Sequence, residues 1–147
     1  MQKFTKFGII LGITLAFLLI ISINSNRVLE KDKLLTSGPF VVNNSKYKIG
    51  ENVFVTVDSL LENDVGRILI ITTKNKIYSN IDFNWSKKSS FNKYFKPVLS
   101  KDLKICDNSE LIGEWKIIMQ GTKYHELKIK ITDEIIPSEI DNYKKIC

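Results

Sequence analysis

Apolar and polar residues alternate through residues 47–60, YKIGENVFVTVDSL. After a turn at Gly50, Val53, Val55 and Val57 fall on one side and Thr56 and Asp58 on the other, with Phe54 the one bulky exception. Side chains of a strand alternate faces with period two, so this stretch predicts a half-buried antiparallel strand on which the rest of the chain packs. Phe40-Val41-Val42 predicts a short strand before it, with Asn43-Asn44-Ser45 as the turn between them. Residues 67–73 are apolar on both faces at Ile68, Leu69, Ile70 and Ile71, which predicts a central strand or one beneath a covering loop. Beyond the Lys74-Asn75-Lys76 turn, Ile77, Ser79, Ile81 and Phe83 share one face and Tyr78, Asn80 and Asp82 the other.

Residues 88–96 place Phe91 and Phe95 on one face with Lys93 between them. Either the strand is an edge from which Lys93 reaches water, or a bulge shifts the phase. Pro97 closes it, and an irregular stretch follows. Within that stretch Asp107, with Glu110 three residues on, predicts a capped helical turn ending by Gly113. Trp115, Ile117 and Met119 then point inward, with Lys116 and Gln120 outward. After Gly121-Thr122 the cleanest alternation of the chain has Leu127, Ile129 and Ile131 in and Lys128, Lys130 and Thr132 out. Pro137 ends it and leaves a polar tail. Short strands with turn signals at near-regular spacing predict an all-β, antiparallel two-sheet sandwich of six to eight strands over residues 38–136. Strands alternating with long helices are absent, which disfavours α/β folds.

A different pattern stands in front. Residues 7–23, FGIILGITLAFLLIISI, carry no charge and follow Lys3 and Lys6. As a helix they reach about 26 Å, slightly short of a hydrocarbon core of roughly 30 Å, and Lys6 can snorkel to the interface. The exit, ISINSNRV, lacks a small-residue cleavage pattern, so residues 1–24 read as an uncleaved signal-anchor helix, with a secreted protein freed by cleavage as the alternative. The lysines keep the N-terminus cytoplasmic and the domain outside a single-pass cell-membrane anchor. Gly8, Gly12 and Ala16 form a small-residue line of the kind that lets membrane helices associate. Residues 25–37 read as a juxtamembrane linker and residues 137–147 as a C-terminal tail.

Charge changes this picture little. The chain carries 22 basic and 16 acidic residues, net +6, and half of that excess flanks the apolar segment. What remains on the domain is weak ground for a nucleic-acid partner, and none is expected.

Tyr47-x-x-Gly50-Glu51-x-Val53-x-Val55, with Gly113-Glu114-Trp115-Lys116-Ile117 late in the chain, resembles macroglobulin-type and immunoglobulin-like sandwich modules. The chain is also similar to small membrane-anchored surface proteins of ammonia-oxidising archaea, which carry segments like residues 91–97, FNKYFKP, and GEW. The resemblance covers residues 38–136. It implies an immunoglobulin-like extracytoplasmic domain used for binding or structure, and it brings no active site with it. The inter-sheet disulfide of immunoglobulins is missing, because neither cysteine falls in a core strand.

The chemistry on offer is sparse. Cys106, Met119 and His125 cannot make a blue-copper site, which needs two histidines. Glu62 with Asp64 and Asp107 with Glu110 read as turn and cap residues rather than as calcium ligands. No phosphate loop and no nucleophile–base pair is present, so an enzyme is not expected, nor a cofactor or metal. Lys116, Lys128 and Lys130, with Lys123 at the connecting turn, form a candidate basic patch for an anionic glycan or other polyanion. Asn43 and Asn84 head Asn-x-Ser triplets suited to glycosylation in an external domain. Cys106 and Cys147, the only cysteines, are expected to form a disulfide outside the cell; a free thiol at the chain end and a bond to a second molecule are the alternatives. The functional expectation is a membrane-anchored surface domain that binds a protein or glycan or serves a structural role. The alternative is an accessory subunit of a membrane enzyme or transporter complex.

Overall fold

The computed structural model describes residues 34–147. The expected membrane helix of residues 7–23, its Gly8, Gly12 and Ala16 line and residues 25–33 of the expected linker lie outside the described residues. Among the described residues no helix is long and apolar enough to cross a membrane.

In chain order the strands are β1 (Leu35–Ser37), β2 (Phe40–Val42), β3 (Lys46–Ile49), β4 (Val53–Val57), β5 (Val65–Ile71), β6 (Ile77–Asn84), β7 (Phe91–Phe95), β8 (Gly113–Gln120) and β9 (Leu127–Ile135). They form two sheets, ordered β1-β2-β4-β7 and β3-β9-β8-β5-β6. The expected count of six to eight strands is therefore too low: nine are formed among the described residues. One of those not foreseen, β1, lies inside the span read as linker, and another comes from the division of one expected strand into β3 and β4. β1 pairs with β2 through a two-residue turn at Gly38-Pro39, where Gly38 takes φ 57°. A Cβ on Gly38 would also strike the ring of Tyr124, so the position needs glycine twice over.

The sandwich is not wholly antiparallel. β3 pairs with β9 in parallel, Tyr47 opposite Ile131. The cause is local. Asn43 Oδ1 accepts the Phe54 N–H at 3.0 Å and the Tyr47 hydroxyl at 2.7 Å, while Asn44 Oδ1 accepts the N–H groups of Ser45 and Lys46. These side chains satisfy backbone groups where β2–β4 pairing stops, and the chain crosses to the other sheet. Residues 47–60 consequently hold two strands in different sheets, joined at Gly50.

Val53, Val55 and Val57 from one sheet meet Ile68, Ile70, Trp115, Ile117, Ile129 and Ile131 from the other in a single buried cluster. Trp115 is fully buried, and its indole N–H donates to the Leu111 carbonyl at 2.8 Å, so its one polar atom is satisfied. Tyr78 packs edge-on against Trp115 at 5.0 Å. Ile77 therefore does not share the face of Ser79, Ile81 and Phe83, nor Tyr78 that of Asn80 and Asp82, as the alternation had them. Ile70 pairs with Ser79 while Ile71 pairs with Ile77, so Tyr78 is an extra residue that reverses the phase at the strand's start. Ile77 is left exposed.

The polar tail is ordered. Residues Pro137–Tyr143 form a 3-10 helix, and Tyr143 is buried with its hydroxyl donating to the Pro97 carbonyl at 2.7 Å. Glu139 of the same helix pairs with Lys96 at 2.9 Å. The capped turn expected at Asp107 is present as Asn108–Glu110, with both hydrogen bonds of a capping box.

Candidate functional site

β6 and β7 each end their sheet, and a cleft of about 450 Å³ opens between them. Val65, Ile81, Phe83 and Phe91 supply its apolar lining and Arg67, Lys87, Lys88 and Lys93 its positive charge; Asp82 is the one carboxylate. Arg67 Nε donates to Asp82 Oδ1 at 2.7 Å across paired positions of β5 and β6, so those two charges offset one another. Lys87, Lys88 and Lys93 have no side-chain partner among the described residues.

Local sequence accounts for each of these cations. At the end of β6, Asn84 Oδ1 accepts the Ser86 N–H and hydroxyl, and the Asn84 carbonyl accepts the N–H groups of Lys87 and Lys88. This tight turn presents the two lysines side by side. Lys93 has the inward phase of its strand. Pairing from Val53 with Phe95 to Val57 with Phe91 runs without a shift, so no bulge rescues it. The edge position does: Lys93 lines the open side, its ammonium in water.

The edge of β6 is itself unpaired. Trp85 N–H donates to the Asp64 carbonyl at 3.0 Å, opposite one another in the β5–β6 register. In an antiparallel pair hydrogen-bonded positions alternate, so the N–H and C=O groups of Asn80 and Asp82 and the N–H of Asn84 face away from β5, towards the open edge, while the Asn84 carbonyl is taken by the turn.

The basic patch expected at Lys116, Lys123, Lys128 and Lys130 is weaker than its sequence suggests. Lys116 does stand opposite Lys128 on paired strands, but Glu114 stands opposite Lys130. Lys128 meets Glu114 at 3.2 Å and Glu126 at 3.8 Å, and the bond to Glu114 raises its pKa. Lys123 is exposed in the β8–β9 connection. Carboxylates thus alternate with the lysines on this face. The β6–β7 cleft carries no motif that marks it in the sequence. Its signals were there, in Lys87-Lys88 directly after a turn and in Lys93 breaking an apolar phase.

The remaining candidates fall in separate places. Cys106 and Cys147 are joined by a disulfide across 41 residues, with Cα atoms 5.2 Å apart. Ile146 N–H donates to the Cys106 carbonyl beside it. Met119 is buried in the core, His125 is exposed, and Cys106 is held in the disulfide. Asp64 is spent on the Leu61 N–H and the Tyr124 hydroxyl. Glu110 takes an ion pair from Lys74 and the N–H of Cys106 at 2.5 Å, which together bring its pKa down to about 2. No group of three metal-ligating side chains occurs among the described residues. Asn43 ends β2 and Asn84 lines the cleft, each with its amide oxygen engaged as described.

Comparison with protein-family models, with curated proteins and with solved structures gives no match.

Proposed function

We propose that this chain is an immunoglobulin-like module held at the cell membrane by residues 7–23, its domain outside, where it binds a partner or serves a structural role. The observation that carries the reading is the Cys106–Cys147 bond. A disulfide between the only two cysteines suits an oxidising compartment, and an uncharged N-terminal stretch is the means of reaching one. Supporting the immunoglobulin-like part is the strand order. β2 pairs antiparallel with β4 in one sheet, β3 runs parallel to the last strand, β9, in the other, and β8 lies between β9 and β5.

The test is topology in the membrane of intact cells. A membrane-impermeant maleimide, applied after mild reduction, labels Cys106 and Cys147 if the domain is outside, and carbonate-washed membranes retain the chain. Labelling only after cell lysis would overturn the reading. Purification in mild detergent then separates a binding module from a complex subunit, since stoichiometric enzyme or transporter subunits would favour the second role.

A further inference from the structure

We infer that the β6–β7 cleft receives an acidic, extended peptide segment of a partner protein, which adds to the open edge of β6 as a further strand. The inference rests on the binding role proposed above and names the partner's chemistry. Three observations meet in this cleft. Lys87, Lys88 and Lys93 have no partner among the described residues, and the Arg67 charge is already balanced by Asp82. Positive charge therefore awaits a ligand at one side of the sandwich, the one carboxylate of the cleft, Asp82, being taken by Arg67.

The second observation is the free backbone of Asn80 and Asp82, with the N–H of Asn84 beside them. A strand edge offers main-chain donors and acceptors at a spacing that an extended peptide matches and a polysaccharide does not. The third is the lining. Phe83 and Phe91 border the same cleft as Lys93, so apolar and cationic positions lie together in it. A peptide strand turns alternate side chains to opposite sides, which lets it set apolar residues against the phenyl rings and carboxylates among the lysines. A volume of about 450 Å³ suits a few side chains.

The experiment uses the full chain in detergent micelles. Its probe is a short fluorescein-labelled peptide alternating glutamate with valine, followed by anisotropy. The expected result is saturable binding that weakens with added salt and is lost when lysine replaces glutamate or proline replaces valine. The combined variant Lys87→Gln, Lys88→Gln and Lys93→Gln should weaken it at least about tenfold, about 1.4 kcal/mol. Lys116→Gln with Lys128→Gln should leave it unchanged. Hydrogen exchange supplies a separate readout: the amides of Asn80, Asp82 and Asn84 should gain protection when the peptide binds. Absence of binding, equal binding by the cleft variant, or equal binding of the proline peptide and of dextran sulfate would each overturn the inference, the last pointing to a plain polyanion site. None of those outcomes bears on the maleimide topology result, so failure here and failure of the membrane reading remain distinguishable.

Discussion

Trp115 shows how much one side chain holds. It packs between Tyr78 and Phe95, is fully buried, and has its only polar atom hydrogen-bonded. Trp115→Ala removes that burial and leaves a cavity between the sheets, so chemical denaturation should show a loss of about 3–5 kcal/mol. A loss below about 1 kcal/mol would mean the two sheets do not meet at this residue. Glu110 makes a second prediction. Its carboxylate is held by Lys74, then by the N–H groups of Cys106 and Asp107, with a pKa near 2 in the fold against an ordinary 4.5. A carboxylate with a depressed pKa stabilises the fold above its unfolded value, and that stability is lost as pH falls through its folded one. The thermal midpoint should therefore drop between about pH 4.5 and about pH 2, with Asp107 and Glu139, also lowered, acting in the same direction. In Glu110→Gln this acid limb should be shallower. An unchanged limb would remove Glu110 from the account.

Among the elements, the C-terminal 3-10 helix departs furthest from its sequence. It is a strap: Tyr143 on the Pro97 carbonyl, Glu139 on Lys96 and over Gly50, and Cys147 on Cys106. Closing a loop of 41 residues stabilises by at most about 4 kcal/mol on the chain-entropy account. Cys106→Ser with Cys147→Ser should cost part of that, measured by denaturation, while the Tyr143 hydrogen bond keeps the helix seated. Tyr143→Phe leaves a buried carbonyl without its donor and should cost about 1–3 kcal/mol. If non-reduced peptide mapping finds two thiols instead of a Cys106–Cys147 peptide, the strap is held by packing alone.

For the whole molecule, the arrangement gives one side a special status. Each sheet must end somewhere, and β6 and β7 end together around one cleft. Exposed strand edges invite pairing with other chains, and lysines there are a common defence. On that account Lys93→Val should promote association, seen as a concentration-dependent shift in sedimentation, because it removes the one charge in the inward phase of β7. Monodisperse Lys93→Val protein would mean that the edge is guarded by other means.

Much was legible without coordinates. The inward faces of β4, β8 and β9 follow from alternation, since burial on one face and water on the other enforce period two at Val53, Trp115 and Ile129 alike. The Asp107 cap and the Asn43-Asn44-Ser45 turn are written in side chains that bond their own neighbours. Which sheet each strand joins was decided elsewhere. A parallel β3–β9 pair couples Tyr47 to Ile131, and no local pattern encodes a partner at that distance along the chain. The Tyr78 bulge was invisible for a related reason: phase is read by counting, and one extra residue is accepted only because Trp115 and Phe95 are waiting for the ring. The cleft belongs to the same class. Lys87, Lys93 and Phe83 lie on separate elements, and only the packing of two sheets with adjacent open edges brings them around one space.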